Sequence, residues 1–277
     1  MKPLILYPND AFIGKTIREY LQHFNVGKAV IYKYSSNHLI KVNDVLKNSE
    51  YRIKKDDMIS ITLECVEKAY YTEEPIDIIF EDEDILVVNK PIDLLVHSDG
   101  NTYDTLTDRV GNHYQKLGYF HPVLPAHRID KETSGIVIFG KHFISIAYLS
   151  TQFETRDIVK IYTCLVENVF TQKEGLIQSK LLRDPHSNKM LVSPHGKMAT
   201  TTYKVIQNLF DQALLEVDIK SGRTHQIRAQ LASIGHSVVG DPLYGTPKGR
   251  LMLHFSKISF KGLRDDNWVT FESKAPF

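Results

Sequence analysis

The sequence predicts an α+β protein, because its apolar residues follow two different spacings. Residues 215–219 alternate apolar and charged side chains, as in a strand that buries one face. Residues 17–24 place apolar side chains three or four positions apart, as in an amphipathic helix. The chain has 277 residues, 42% of them hydrophobic, which is enough for one large domain or for a large domain and a small one.

The first seventy residues have the element content of a small domain. We expect a helix over 15–25, a second helical or irregular piece over 29–34, a strand and turn over 38–45 with Asn43 and Asp44 in the turn, and a strand over 58–63. A linker over 67–75 follows, where charge rises and Pro75 interrupts regular structure.

Residues 76–277 predict a larger domain that mixes strands and helices. The expected strands are the paired segments 76–80 and 85–89 around an acidic turn, a buried run at 136–139, and segments at 157–166, 195–205 and 215–219. The expected helices are 105–118, one that begins at Lys141, and one with Thr224 as its N-cap, an apolar stripe of Ile227, Leu231 and Ile234, and Gly235 at its end.

Charge and composition restrict the classes of protein to consider. The net charge is +1, and residues 71–100, with nine acids and one lysine, separate two mildly basic regions that are compatible with RNA binding. No apolar run approaches the length of a membrane span, and the N-terminus is unlike a secretory signal. Cys65 and Cys164 are expected to be buried thiols, so we expect a cytoplasmic protein.

The stretch from His127 to Gly135 is the strongest candidate for chemistry. It ends in turn-forming residues and leads into a buried strand, so Asp130 is expected in a tight loop. Arg128 and Lys131 nearby favour the charged carboxylate, which can be a nucleophile, a general base or a salt-bridge partner. Loop aspartates more often stabilise turns, so these residues alone leave both interpretations open.

The segment HRIDKETSG resembles the H-R-x-D-x-x-T-S-G signature of the RluA-type pseudouridine synthases, enzymes that isomerise uridine in RNA. Ile129 stands where that family usually has a leucine of similar volume. The resemblance implies that Asp130 is the catalytic aspartate and that Arg128 helps to hold a flipped-out nucleotide. It also implies a pseudouridine synthase fold over 76–277, with a mixed, largely antiparallel central sheet surrounded by helices.

Two further motifs resemble the same family and supply partners for Asp130. Lys160-x-Tyr162 matches the K-x-Y-x-x-x-V motif, which implies that Tyr162 stacks on uracil and moves a proton, although an aromatic residue on a strand is more often core. Lys160 is either a ligand of backbone phosphates or a solvated lysine. The string G-R-T-H-Q-I-R implies that Arg223 pairs with the catalytic carboxylate, which a planar guanidinium can hold through two hydrogen bonds.

Weaker resemblances cover the flanking segments. Asn89-Lys90-Pro91 with His97 is similar to the opening segment of the family, except that Asp93 stands where glycine is usual. The segment H-G-K-M-A-T-T-T and the closing G-D-x-L-Y-G pattern resemble the family too, and we assign both to scaffold and packing.

The segment IKVNDVLKNSEYRIKKDDMISI resembles the alpha-L-type RNA-binding domain, which we therefore expect over 1–70. Lys28, Lys33, Lys41 and Lys47 are its candidate phosphate ligands, with solvated lysines as the alternative. A small domain that packs on its neighbour without touching RNA is a further alternative.

The resemblance implies an RNA pseudouridine synthase that acts on large-subunit ribosomal RNA, with transfer RNA as the second candidate substrate. An isomerisation needs no cofactor, and the sequence has no zinc, zinc-deaminase or nucleotide-binding motif, so we expect neither metal nor cofactor. We expect a monomer with RNA as its partner and no membrane. The alternatives are a catalytically silent RNA-binding or ribosome-assembly factor on the same fold, and a glycoside hydrolase that uses Asp130. Such a hydrolase would need a second positioned carboxylate, and Glu132 is too near in the sequence to be assigned as that partner.

Overall fold

The computed structural model describes residues 3–65, 68, 70 and 72–277, and the strands of that part form one small sheet and one large sheet. The predicted linker over 67–75 includes Glu67, Ala69 and Tyr71, which lie outside the described residues. Within the described part, no helix combines the length and the apolar character that a bilayer crossing requires.

The small unit consists of an antiparallel sheet and two short helices. Its elements are β1 (Leu4–Leu6), α1 (Ile17–His23), α2 (Lys28–Ser36), β2 (Ile40–Val42), β3 (Val45–Leu46) and β4 (Ile59–Ile61), with the strand order β1–β4–β2–β3. Thr16 begins α1 through reciprocal hydrogen bonds with Glu19. Asn43 and Asp44 form the predicted turn between β2 and β3 with φ of 48° and 65°, a backbone region that these residue types tolerate.

The large unit contains eleven strands in one sheet and three helices among its described residues. Its elements are β5 (Ile78–Glu81), β6 (Ile85–Lys90), α3 (Leu106–Lys116), β7 (Leu124–Pro125), β8 (Ser134–Gly140), α4 (Phe143–Thr155), β9 (Val159–Glu167), β10 (Glu174–Arg183), β11 (Met190–Val192), β12 (Lys197–Asn208), β13 (Gln212–Ile219), α5 (Gln226–Ser233), β14 (Leu253–Lys261) and β15 (Trp268–Glu272). The strand order is β11–β10–β12–β13–β9–β14–β8–β6–β5, with β15 beside β14 and β7 beside β8. β14 and β8 pair in parallel, whereas the other pairings between these strands are antiparallel. This confirms the predicted mixed, largely antiparallel sheet.

The small unit packs on α4 of the large one. Tyr34 stacks on Phe143 with ring centroids 4.3 Å apart, and Ile144 is fully buried in the core of the small unit. Phe24 and Tyr148 meet edge to face. Aromatic packing of this kind buries apolar surface, so the two units share a hydrophobic interface.

Strand β8 lies inside the large sheet, and all of its residues are buried. Near its start Gly135 adopts a φ of 118°, and a Cβ there would overlap the backbone of Phe255 in β14. Glycine alone permits this backbone conformation and this close approach. The loop that precedes β8 is thereby placed beside β14.

The start of α5 and one residue of its apolar stripe differ from the prediction, whereas Gly235 closes the helix as predicted, with a φ of 87°. The residue before the helix is His225, with a φ of 50°, and not Thr224. The turn is closed from within the helix instead, because Gln226 Oε1 accepts the backbone N–H of Arg223 at 3.2 Å. Ile234 follows the helix with 42% of its surface exposed, so it does not belong to the apolar stripe.

The other predicted elements occur with ends that shift by a few residues. The helix predicted from Lys141 begins at Phe143, and the strand predicted over 157–166 is β9. Cys164 in β9 is buried as predicted. Cys65 is exposed, which contradicts the prediction, because it follows the end of β4 and does not lie in a core strand.

Candidate active site

Asp130 lies in the loop between β7 and β8. The backbone N–H of Thr133 donates to the Asp130 carbonyl at 3.1 Å, which closes a turn, and Ile129 is buried beneath it. Arg128 is exposed, and its Nη1 lies 3.2 Å from His97 Nε2. The Asp130 side chain is 24% exposed, so its carboxylate is partly accessible from solvent.

A buried lysine, Lys90, donates a hydrogen bond to the backbone of this loop. Lys90 is fully buried, and its Nζ donates to the carbonyls of Pro91 and Leu94 at 2.8 Å and of Lys131 at 3.0 Å. Burial lowers the pKa of Lys90 to about 7, although the carboxylate of Asp130 acts in the opposite direction. The sequence placed Lys90 in a family motif without a role, and the structure shows that it joins two loops.

The ion-pair partner of Asp130 is Arg228, in the first turn of α5. Arg228 Nη1 lies 3.5 Å from Asp130 Oδ2 and 3.4 Å from Glu132 Oε2. Its Nε and Nη2 donate to the two carboxylate oxygens of Asp241, both at 2.8 Å, and both of these side chains are fully buried. Burial alone would raise the pKa of Asp241, but the hydrogen bonds and the charge of Arg228 bring it below its ordinary value. The guanidinium is therefore fixed in orientation before any substrate binds.

The prediction that Arg223 pairs with the catalytic carboxylate is wrong, because Arg228 occupies that position. Both arginines belong to the string G-R-T-H-Q-I-R, and spacing along the chain does not distinguish them. Arg223 lies in the turn before α5, whereas the helix directs Arg228 towards Asp130. Among the described residues, the buried Nε of Arg223 has no hydrogen-bond partner.

A second residue of that string faces Asp130. His225 Nε2 lies 4.0 Å from Asp130 Oδ2, and its Nδ1 lies 3.1 Å from the hydroxyl of Tyr244. That hydroxyl accepts the backbone N–H of Met190, so its own proton is available to His225 Nδ1. A neutral His225 then carries its proton on Nε2, towards Asp130. Burial lowers the pKa of His225, which favours this neutral form.

Tyr162 of β9 completes the site as a mostly buried ring. One of its faces stacks on Phe255, with centroids 4.4 Å apart and planes inclined by 7°. Burial raises the pKa of Tyr162, and the charge of Asp130 raises it further. The phenol is therefore neutral at neutral pH and keeps its proton.

Two adjoining cavities meet at Tyr162 and Arg223. The first, here called the Asp130 pocket, has a volume of about 120 Å³ and is lined by Asp130, Tyr162, Arg223, His225 and Arg228, with Arg128 at its edge. The second, here called the basic pocket, has a volume of about 380 Å³ and is lined by the cations Arg128, Arg156, Lys160, Lys220 and Arg223. The remote motifs that carry the predicted site residues thus meet at one place.

Lys160 lies in the basic pocket and not in the Asp130 pocket. It is 5% exposed, which contradicts its interpretation as a solvated lysine, and its Nζ donates to the carbonyl of Ile158 at 3.2 Å. Burial lowers the pKa of Lys160.

The sequence prediction missed Arg228, His225, Asp241 and Tyr244 as parts of the site. The G-D-x-L-Y-G pattern was assigned to packing, yet its Asp241 orients Arg228 and its Tyr244 orients His225. The presence of Asp241 and Tyr244 in this family-like pattern could have indicated their roles, since an acid or a phenol that is buried usually has a hydrogen-bond partner.

Known proteins resemble the chain over most of its length. A family described as RNA pseudouridylate synthase matches residues 84–233. The uncharacterized RNA pseudouridine synthase YhcT of Bacillus subtilis is 36% identical over 259 residues, which cover 90% of this chain and 85% of that protein. Ribosomal large subunit pseudouridine synthase D of Neisseria meningitidis is 32% identical over 263 residues, covering 86% and 70% of the two proteins.

A solved structure shares the fold. Human RNA Pseudouridylate Synthase Domain Containing 1 superposes with a TM-score of 0.64 at 23% identity, over 76% of this chain and 87% of that one.

Proposed function

The chain belongs to the RluA-type RNA pseudouridine synthases, and from this premise we propose that it converts uridine to pseudouridine in large-subunit ribosomal RNA. The family consists of isomerases. The ribosomal substrate is supported by the name of the Neisseria relative, which is 32% identical over 86% of the chain. Transfer RNA is the other substrate to be tested.

The observation that carries the proposal is the carboxylate of Asp130 in one pocket with Tyr162 and Arg228. The isomerisation breaks the N1–C1′ bond and forms a C5–C1′ bond, while a proton leaves C5 and another arrives at N1. No atom is gained or lost, so the reaction requires no co-reactant. Asp130 promotes the bond cleavage, by attack at C1′ or at C6 or by taking the C2′ proton.

The remaining residues are proposed to contact the RNA. One face of Tyr162 is covered by Phe255, so uracil stacks on the opposite face, and the neutral phenol can donate its proton. Arg128, exposed at the edge of the pocket, holds the RNA while the target nucleotide is flipped out of its stack. Lys160 lies beside the path of the backbone in the basic pocket.

Glu132 supports this assignment over a hydrolase. A glycoside hydrolase would need a second positioned carboxylate beside Asp130, and Glu132 faces the guanidinium of Arg228 at 3.4 Å instead. Membership of a family of isomerases also favours isomerisation over glycoside hydrolysis.

Residues 1–70 are proposed to act as an alpha-L-type RNA-binding domain. Their described part is a compact unit whose interface with α4 orients it relative to the large unit. Lys28, Lys41 and Lys47 are candidate phosphate ligands, whereas Lys33 pairs with Glu64 at 2.5 Å. We also propose that the protein works in the cytoplasm, where ribosomal RNA is present, and as a monomer, since one chain supplies every group of the site.

Two experiments test the function. Wild-type protein incubated with unmodified large-subunit ribosomal RNA should form pseudouridine, and Asp130→Asn should form none while retaining the wild-type melting temperature. Pseudouridine mapping of total RNA from a deletion strain should show a missing site that the wild-type gene restores. RNA binding by wild-type protein without any pseudouridine formation would support the silent RNA-binding factor instead, and a missing site in transfer RNA would correct the substrate.

A further inference from the structure

The basic pocket has the charge of an anion-binding site. Five of its lining residues are cations, and the lining carboxylate is Glu154. Asp218 is the other nearby carboxylate, with its Oδ2 at 3.1 Å from Lys220 Nζ. Among the described residues, Arg156, Lys160 and Arg223 form no ion pair, so positive charge is in excess around this cavity.

The ammonium of Lys160 and the Nε of Arg223 are buried with little compensation in the described chain, although the charge of Asp218 offsets part of the effect of burial on the pKa of Lys160. Lys160 is 5% exposed and has a single carbonyl acceptor, that of Ile158. The buried Nε of Arg223 has no acceptor in the described chain. Burying a cation is costly unless an anion or several acceptors compensate for its lost hydration. An anionic group bound here would supply acceptors to both side chains.

The position of the pocket indicates which anion binds. Tyr162, Arg223 and Arg128 line both cavities, so a group in the basic pocket lies directly beside a base in the Asp130 pocket. In RNA, the charged group next to a base is the phosphodiester of its backbone. Charge-assisted hydrogen bonds from arginine and lysine are the usual ligands of phosphate oxygens.

We propose that the basic pocket binds a phosphodiester group adjoining the target uridine, and that Arg223 is a ligand of this phosphate and not a partner of Asp130. The inference rests on the proposed function. It explains why one motif contains two arginines with different surroundings. Arg228 forms ion pairs with Asp130 and Asp241, whereas Arg223 is available to bind the substrate.

Binding of a fluorescent oligouridylate at several salt concentrations tests the pocket. Arg156→Gln, Lys220→Gln and Arg223→Gln should each reduce the slope of log Kd against log salt by about 0.7, the value for one phosphate contact on a single strand. Lys116→Gln removes the same charge from α3, outside both pockets, and should leave the slope unchanged. Unchanged slopes in all three pocket variants would overturn the proposal, provided that each variant keeps the wild-type melting temperature. A variant that unfolds is replaced by the corresponding methionine variant, which also removes the charge and should reduce the slope by the same amount.

The pH dependence of turnover distinguishes the two roles of Arg223. If Arg223 is a phosphate ligand, Arg223→Gln should raise KM and leave the acid limb of the kcat profile in place. If Arg223 is a partner of the carboxylate, the acid limb should move to higher pH while the salt slope stays constant, and this result would refute the proposal.

A competition experiment tests whether the pocket is specific for RNA. Inorganic phosphate should compete only weakly with the oligouridylate, since it lacks the base. Equal competition would indicate a general anion site. Wild-type protein that binds the oligouridylate through the pocket but forms no pseudouridine would contradict the proposed function and not the pocket.

Discussion

The Asp130 pocket and the basic pocket share the wall formed by Tyr162 and Arg223, but their charged groups are satisfied to different degrees. In the Asp130 pocket, Arg228 contacts three carboxylates, and Nδ1 of His225 is hydrogen-bonded to the hydroxyl of Tyr244. In the basic pocket, several cations have no carboxylate partner within the described residues. The comparison shows that the fold orients the charged groups around Asp130 in advance, whereas several cations of the basic pocket have no carboxylate that orients them.

The largest expected effect comes from breaking the oriented side of this comparison. Arg228→Met leaves the buried carboxylate of Asp241 without its cation, which should reduce the free energy of unfolding by about 3–5 kcal/mol. Denaturant unfolding measures this loss. The double variant Arg228→Met/Asp241→Leu removes both charges and should recover most of the stability without restoring turnover. A double variant as unstable as the single one would show that the pair does not act as a unit.

A smaller change in the free energy of unfolding is expected from pH, through hydrogen bonds at the start of β8, next to the Asp130 loop. Arg250 Nη2 donates to Ser134 Oγ at 2.9 Å, which leaves the Ser134 proton for Nδ1 of His254, also at 2.9 Å. Burial lowers the pKa of His254 to about 4 from an ordinary 6.5. Between these pH values the unfolded chain binds a proton that the folded chain does not. Stability therefore falls as pH falls through this window, by up to about 1.4 kcal/mol per pH unit from this residue.

Unfolding in urea at pH 6.5 and at pH 4 measures this dependence. His254→Gln removes the titrating group, so the variant should lose less stability between the two pH values than the wild-type protein does. His127, whose pKa burial lowers to about 3, remains in both proteins and maintains part of the slope. An identical loss in the two proteins would exclude His254 as a source.

The smallest expected effect concerns the orientation of His225. Tyr244→Phe removes the hydroxyl that supplies a proton to His225 Nδ1. One neutral hydrogen bond contributes about 0.5–1.5 kcal/mol, so kcat should fall between about twofold and tenfold with KM unchanged. Tyr32→Phe, at a tyrosine that is 72% exposed in the small unit, is the matched control. A wild-type kcat in Tyr244→Phe would show that the tautomer of His225 does not matter for turnover.

Local sequence was sufficient for most of the fold. The alternation in β9 and β13 and the turn at Asn43 and Asp44 depend on neighbours within a few positions, and the structure contains all three. The predicted start of α5 was wrong, because His225 and not Thr224 precedes the helix, and the side chain of Gln226 accepts the backbone N–H of Arg223 in the preceding turn. A capping rule that uses only the types of neighbouring residues does not predict which side chain accepts the hydrogen bond in such a turn.

The sequence by itself determined that Asp130 lies in a tight loop before a buried strand, since the signature around it is a run of consecutive residues whose turn chemistry is local. Only the tertiary structure decided that Arg228, and not Arg223, pairs with that aspartate. Arg228 and Asp241 meet because a helix and a distant loop pack together, and Lys90 reaches the Asp130 loop from another strand. Such pairings depend on three-dimensional packing, so residue spacing along the chain does not encode them.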